Sequence, residues 1–540
     1  MRLLFLLVAF SPACFVHAQT QAPNPAALNV AELQVMGYTA VGWNETTWSA
    51  RQILEANLEV VRGATINTGA IDRDRIYVLP EYAFTTTRVM NTRTLALEMA
   101  QLVREPGENV LPCSSANAGT EYLLMKQLSC ISRENFVYLV AAVLEKEARE
   151  CQTGETAASC FNIFSTTIVT DKNGYFIAKY RRFNSLEQGT VITRPIEATP
   201  TSFTTASGFT FGLLTGNDLL FREPAQTLLR RNVTQFITNG AWLNTMPFEF
   251  SVNVFQGWNA ANKVYLAAAN YMEAERGYSG IGTYRTFSGG FLRSEVVGNS
   301  SGGYLAIGDT LSDLSSLRRR KRQNTSPSSV VTMPADLSKF VSVEVPLSQA
   351  SRQVRACHET FCCNLTYSTT TTLADVTNVT YRLLVFGGNR TVGGDTQPIF
   401  LEQTCGLVAC ARGAGNVTDC SASRDQTAYT NFVSFSSLSL QGSFATNSVR
   451  PITMSGEPDR FYSLNIGTLR TEQISERNYT VSNEVPRGLF IRVKTFALSA
   501  TDSPAPPPPP PPPAGPNMST LGKASSAFLM LLAALAAKLV

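Results

Sequence analysis

Histidine is almost absent from this chain. Of 540 residues only His17 and His358 are histidine, and His17 falls in a leader segment expected to be removed. A single imidazole excludes Ser-His-Asp and Cys-His catalysis by a distant histidine in the N-terminal half, and every multi-histidine metal site. CxxC spacings are also missing, so the ordinary zinc pattern has no place and no metal or other cofactor is expected. Nor is there an excess of one charge. Forty-five basic residues face 41 acidic ones for a net charge of +4, far from the profile of a nucleic-acid-binding protein. Five of the positives form one run, Arg318, Arg319, Arg320, Lys321 and Arg322; outside it the balance is 40 against 41. With 44% hydrophobic and 16% charged residues the chain is globular, with enough length for about two to four domains.

Both ends carry addresses. Residues 1–18 read as a secretory signal: Arg2, the apolar stretch Leu3 to Phe10, and the small-residue cleavage site Val16-His17-Ala18. At the other end a proline-rich stalk over 501–516 precedes residues 517–540, a polar spacer followed by the apolar run Ala527 to Ala537. That order is the recipe for a GPI anchor and places the protein at the extracellular cell surface. A spanning helix is the competing reading, and the run is short for it. Eleven cysteines less Cys14 leave ten, at Cys113, Cys130, Cys151, Cys160, Cys357, Cys362, Cys363, Cys405, Cys410 and Cys420. Their even number and short spacings suit local disulfides in an oxidising compartment. Sequons stand at Asn44, Asn232, Asn299, Asn324, Asn364, Asn378, Asn389, Asn416 and Asn478, with one more at Asn517 in the tail.

Along the chain, residues 27–305 alternate strand and helix signals. Leu33 to Val41, Arg75 to Leu79 and Phe136 to Leu144 read as strands, and Arg51 to Gly63 as a helix. A hairpin follows, Phe164 to Asp171 and Tyr175 to Phe183 around Asn173-Gly174. Phe209 to Thr215 is a strand running through Gly216-Asn217 towards a helix near Pro224 to Arg231, and Gln235 to Asn239 and Lys263 to Asn270 complete a layered α/β pattern. Residues 306–330 are a linker whose Arg319-Arg320-Lys321-Arg322 fits the form cut by furin-like proteases, with an unprocessed, solvated loop as the alternative. Residues 331–500 hold short alternating segments, among them Phe340 to Val345, Tyr381 to Phe386 and Leu489 to Ala497, with six cysteines: a disulfide-bearing β domain.

Strand ends at Glu81, Arg182 and Gly216 are expected to converge at one sheet edge, where α/β proteins place their ligands. The stretches around them are VLPEYAF (78–84), GYFIAKYRRFN (174–184) and FGLLTGNDLLFREPA (211–225). Together with GAWLNTMPFEF (240–250), SGIGTY (279–284) and the cysteine pattern from CHETFCCNLTY (357–367) to Cys420, they resemble the vanin and biotinidase branch of the nitrilase superfamily. The resemblance runs from about residue 27 to 500. It implies a nitrilase-type α-β-β-α sandwich followed by a smaller, mostly β C-terminal domain. It also implies amide hydrolysis by a Glu-Lys-Cys triad: a general base, an oxyanion stabiliser and a nucleophile.

Two of the three triad positions depart from that pattern. Glu81 keeps the glutamate, directly after Pro80. The lysine position falls on Arg182, which is cationic but cannot lend a proton at neutral pH. Lys179, three residues earlier on a strand, faces the other way. The cysteine position falls on Gly216, between Thr215 and Asn217-Asp218, and a glycine offers no thiolate, although it tolerates the strained backbone of a nucleophile elbow. Thr215 is expected to point to the far side of its strand. The resemblance therefore implies a pseudoenzyme whose pocket meets a small pantetheine-like or biotin-amide-like ligand. The other readings are an active amidohydrolase on linear C–N bonds using non-standard residues, and a cell-surface adhesion scaffold.

Overall fold

A computed structural model describes residues 31–502 except 43–44, 66–72, 108–110, 115–121, 152, 157–158, 187–190, 286–290, 296–303, 312–330, 348–350, 371–378, 392–398, 412–419, 421–432, 457–462, 465–468 and 486–488. The leader, the tail, the basic run and the sequons Asn44, Asn299, Asn324, Asn378, Asn416 and Asn517 lie outside the described residues.

The first half opens with β1 (Ala31–Tyr38), α1 (Ala50–Ala64), β2 (Asp74–Val78), α2 (Arg93–Met99) and α3 (Leu123–Asn135). Next come β3 (Tyr138–Ala148), β4 (Phe161–Thr170), β5 (Phe176–Arg181), β6 (Ser202–Thr204), β7 (Thr210–Thr215), α4 (Ala225–Arg230) and β8 (Gln235–Gly240). It closes with β9 (Thr245–Met246), α5 (Ser251–Asn262), β10 (Tyr265–Tyr271), β11 (Ile281–Tyr284), β12 (Phe291–Glu295) and β13 (Tyr304–Leu311). One mixed sheet runs β5-β4-β3-β2-β1-β10-β8-β7-β6. Its inner face buries Leu33, Val35, Ile76, Val140, Leu213 and Ile237 together. Helices α1 to α3 cover one outer face through Leu54, Leu58, Leu124 and Leu128, and α4 and α5 cover the other through Leu228, Phe255 and Trp258. The result is an α-β-β-α sandwich. Strand β3 is buried on both faces from Tyr138 to Leu144, which is why it reads as an unbroken apolar run.

Local chemistry explains the elements that sequence reasoning located. Ser49 and Gln52 form a reciprocal capping box that starts α1, and Ile53, Leu54, Leu58 and Val61 turn inwards at helical spacing. In the β4–β5 hairpin the Asp171 carboxylate accepts from the N–H groups of Asn173 and Tyr175, both at 2.9 Å. Two expectations shift. Phe136 is not the start of a strand: it is the left-handed cap of α3, at φ 53°. The boundary placed at 305 falls inside β13, which pairs antiparallel with β1 from Ala31–Leu311 to Tyr38–Tyr304, so the sheet continues to 311.

The second half is all β among the described residues. It contains β14 (Met333–Pro334), β15 (Val341–Glu344), β16 (Ser351–His358), β17 (Phe361–Thr369), β18 (Val379–Thr391) and β19 (Ile399–Ala411). These are followed by β20 (Phe435–Ser443), β21 (Arg450–Ser455), β22 (Leu469–Gln473), β23 (Asn478–Glu484) and β24 (Val493–Asp502). Two five-stranded sheets, β15-β18-β19-β24-β21 and β16-β17-β20-β23-β22, face each other over Leu365, Tyr367, Leu383, Leu407, Leu440 and Phe496. Leu489, expected in the last strand, is exposed, and that strand begins at Val493. The Cys363–Cys405 disulfide ties one sheet to the other, whereas Cys357–Cys362 and Cys410–Cys420 are local. Cys113–Cys130 and Cys151–Cys160 are local to the first half.

No disulfide joins the halves; packing does. β14 runs parallel to β9, and the Asn253 amide donates to the Thr453 carbonyl at 2.7 Å. Helix α5 lies so close to β21 that a Cβ on Gly257 would come within 1.8 Å of the Pro451 carbonyl oxygen, so only glycine fits there.

Candidate active site

Glu81 follows the C-terminal end of β2, Arg182 follows the end of β5, and Gly216 opens the turn after β7. The fold brings all three together. A guanidinium nitrogen of Arg182 (Nη1) lies 2.9 Å from Glu81 Oε1, and the two residues are 3% and 1% exposed. A Cβ placed on Gly216 would meet Glu81 Oε2 at 3.2 Å and the Cδ and Nη1 of Arg182 at 3.3 Å each. Gly216 has φ +54°, a backbone conformation that favours glycine. It also packs against Gly240, where a Cβ would stand 3.3 Å from the Gly216 Cα. Thus the space a side chain at 216 would enter is already edged by an ion pair.

Sequence reasoning missed three supporting residues. Ser165 on β4 donates its hydroxyl to Glu81 Oε1, and its carbonyl accepts from the Arg182 N–H at 2.8 Å. One residue therefore positions both members of the pair. Asp218 is fully buried and accepts from the Tyr180 hydroxyl (2.6 Å), the Asn184 N–H (2.9 Å), the Asn184 side-chain amide (3.0 Å) and the Thr215 N–H (3.1 Å). Burial pushes its carboxyl up to about 6, against the pull of those four donors. By this network Asp218 clamps the strand end bearing Arg182 to the turn bearing Gly216. Thirdly, Asn239 on β8 accepts from the hydroxyls of Thr167 (2.9 Å) and Thr215 (3.1 Å). The signal for Asp218 was present, since its partners Tyr180 and Asn184 stand in the same GYFIAKYRRFN stretch that carries Arg182.

Other positions sort by face. Lys179, on the opposite face of β5, reaches Glu105 at 2.6 Å and Glu145 at 2.8 Å, away from Glu81. Glu145 also takes Arg181 and Thr166, and these partners outweigh burial and hold its carboxyl below the usual range. Thr215 is held between Thr167 and Asn239 rather than beside Glu81. His358 belongs to the second half, its Nδ1 3.0 Å from the Gly387 carbonyl oxygen and its ring edge-on to Phe386. No helix among the described residues is long and apolar enough to cross a membrane.

An α-β-β-α sandwich carrying a buried glutamate, a cation and a post-strand turn at one point, followed by a disulfide-bearing β sandwich, defines a nitrilase-type fold with an added β domain. Residues 331–496 match the family described as Vanin C-terminal domain. Pantetheinase of Homo sapiens is 26% identical over 421 residues, covering 76% of this chain and 77% of its own length. Biotinidase of Takifugu rubripes is 28% identical over 392 residues, covering 67% and 74%. Among solved structures, Saccharomyces cerevisiae Nit3, a member of branch 10 of the nitrilase superfamily, is 15% identical with a TM-score of 0.39, covering 52% of this chain and 90% of its own. Along about two thirds to three quarters of its length the chain is similar to pantetheinases and biotinidases, and its second half matches the Vanin C-terminal domain, in line with the resemblance expected from its sequence.

Proposed function

We propose that this chain is a cell-surface vanin-like protein that has ceased to hydrolyse amides. The observation that carries the reading is the pairing of Arg182 with Glu81 beside a glycine. Amide hydrolysis through a covalent intermediate needs a nucleophile that attacks the carbonyl and a base that takes its proton. Gly216 supplies no nucleophile, and the carboxylate expected to act as base is bound to a guanidinium and to the Ser165 hydroxyl instead. Thr215, next to Gly216 in sequence, turns its hydroxyl to Thr167 and Asn239 and has no base among those partners. On this reading a small amide of the pantetheine or biotin-amide class is held, not cleaved. Purified protein incubated with pantetheine and with a biotin amide is expected to show no turnover above buffer, and Glu81→Gln is expected to change nothing. Turnover that Glu81→Gln abolishes overturns the proposal.

The same reading includes secretion, N-glycosylation and a GPI anchor. Asn232 and Asn389 are exposed, and Asn364 and Asn478 are half-buried on strands of the second half, which supports them as glycan acceptors. Phosphatidylinositol-specific phospholipase C is expected to release the protein from expressing cells. Retention after treatment, with extraction only by detergent, overturns the anchor.

A further inference from the structure

In the second half, β18 pairs with β19 along its whole length, from Val379–Ala411 to Thr391–Ile399. On its other side β15 covers only Arg382 to Val385, and the chain just before β15 bends where the Phe340 N–H donates to the Leu337 carbonyl. Among the described residues no strand pairs with that side of β18 from Phe386 to Thr391. One side chain reaches it: His358 Nδ1 lies 3.0 Å from the Gly387 carbonyl oxygen. Residues of an antiparallel ladder turn their backbone groups to the two sides alternately, so Asn389, two positions on, presents its N–H and C=O to the same open side.

An open edge is a template for pairing with another chain, and proteins blunt it with lysine, proline, a bulge or a cover. The stretch Phe386-Gly387-Gly388-Asn389-Arg390-Thr391 has no lysine and no proline, and its register with β19 is unbroken. Its one charge, Arg390, is held by Glu402 at 2.7 Å. What remains is a cover.

Asn389 is exposed and opens the sequon Asn389-Arg390-Thr391. It also lines a cavity of about 540 Å³ together with Lys339, His358, Glu359 and Phe386. That volume lies within the range of small-molecule sites, about 300–1,000 Å³, and so suits the first sugars of an N-linked chain. Lys339 and Glu359 are exposed and His358 is half-buried, which gives sugar hydroxyls both donors and acceptors to meet. Attachment at Asn389 supplies the rest of the hold, because a tethered group stays at the cavity at high effective concentration. We infer that the N-linked glycan of Asn389 seats in this cavity and caps the open edge of β18, which keeps that edge from pairing with a second copy of the chain. The inference rests on the proposal that the chain is N-glycosylated and is independent of the Glu81–Arg182–Gly216 cluster.

The test treats the native full-length glycoprotein, extracted from expressing cells, with peptide-N-glycosidase F and follows release at each asparagine by mass spectrometry. A seated sugar is open to the enzyme only while it is out of the cavity, so release at Asn389 is expected to be about 10-fold or more slower than at the exposed Asn232. Lys339→Ala/Glu359→Ala, two exposed positions, is expected to remove most of that difference. Asn389→Gln is expected to sediment as a larger species than the wild type at the same concentration, and Asn232→Gln is not. An unmodified Asn389 overturns the inference together with glycosylation at that sequon. A glycan there that leaves as fast as the one at Asn232, or protection that the double variant leaves intact, overturns the seating and spares the glycosylation. An Asn389→Gln protein that sediments like the wild type overturns the capping of the edge.

Discussion

Arg182→Met is expected to lower the stability of the folded protein by about 3–5 kcal/mol, because it strips the guanidinium from a carboxylate that has been taken out of water. Glu81 is 1% exposed and Arg182 3%, so neither charge can turn to solvent when its partner is removed. Replacing both, as Glu81→Leu/Arg182→Met, removes the charges together. An apolar pair of similar volume often substitutes for a buried ion pair at little cost. The double variant still leaves the Ser165 hydroxyl short of its carboxylate acceptor, a loss of about 1–3 kcal/mol. It is therefore expected to recover about half of what the single variant loses. Midpoints of denaturant unfolding for the wild type and both variants decide this. A single variant within about 1 kcal/mol of wild type, against that expectation, overturns the description of Glu81 and Arg182 as a mutually dependent buried pair.

How legible this arrangement was depends on the range of the interaction that creates it. Glu81, Arg182 and Gly216 were placed by short motifs at the ends of strands whose alternating or unbroken apolar patterns are local properties of the chain. Strands β1 to β5, β7, β8 and β10 and the capped, amphipathic α1 follow from the same kind of signal, whereas the three-residue β6 was too short to give one. Helix α5 was not legible, because Ser251 to Asn259 are all buried and it has no polar face to set a period. Its Asn253 and Gln256 look like surface residues in sequence, yet they donate to the Thr453 and Leu464 carbonyls of the other half. β13 lay across the expected boundary because only its pairing with β1, far away in sequence, marks it as part of the first sheet. Ser165 was unreadable for a similar reason. A serine in mid-strand carries no motif, and its role appears only when β4 sets it beside Glu81. Arg450 is the extreme case, an ordinary basic residue in sequence whose bond to Leu220 spans 230 positions.

Gly216→Cys by itself is expected to yield no hydrolysis. The new Cβ would stand 3.2 Å from Glu81 Oε2 and 3.3 Å from the Cδ and Nη1 of Arg182, on a backbone at φ +54°. Crowding of that kind costs about 1–3 kcal/mol, and it is relieved only by moving the arginine off its carboxylate. Even then the guanidinium fills the space and cannot donate a proton at neutral pH. Lysine in its place has a compact ammonium on a flexible stem, so Gly216→Cys/Arg182→Lys frees room for the thiol and leaves Glu81 available as its base. Such a double variant is expected to hydrolyse pantetheine or a biotin amide, about 10²–10⁴-fold faster than the triple variant that also carries Glu81→Gln, the range typical of a positioned general base. The outcomes separate two kinds of loss. Activity from the double variant alone localises the defect to the nucleophile and its cation and means that the surrounding pocket has been kept. Activity from Gly216→Cys alone contradicts the steric account of Arg182. A folded but inert double variant means that the chain has lost substrate binding as well as chemistry, and the proposal of a retained amide pocket then fails.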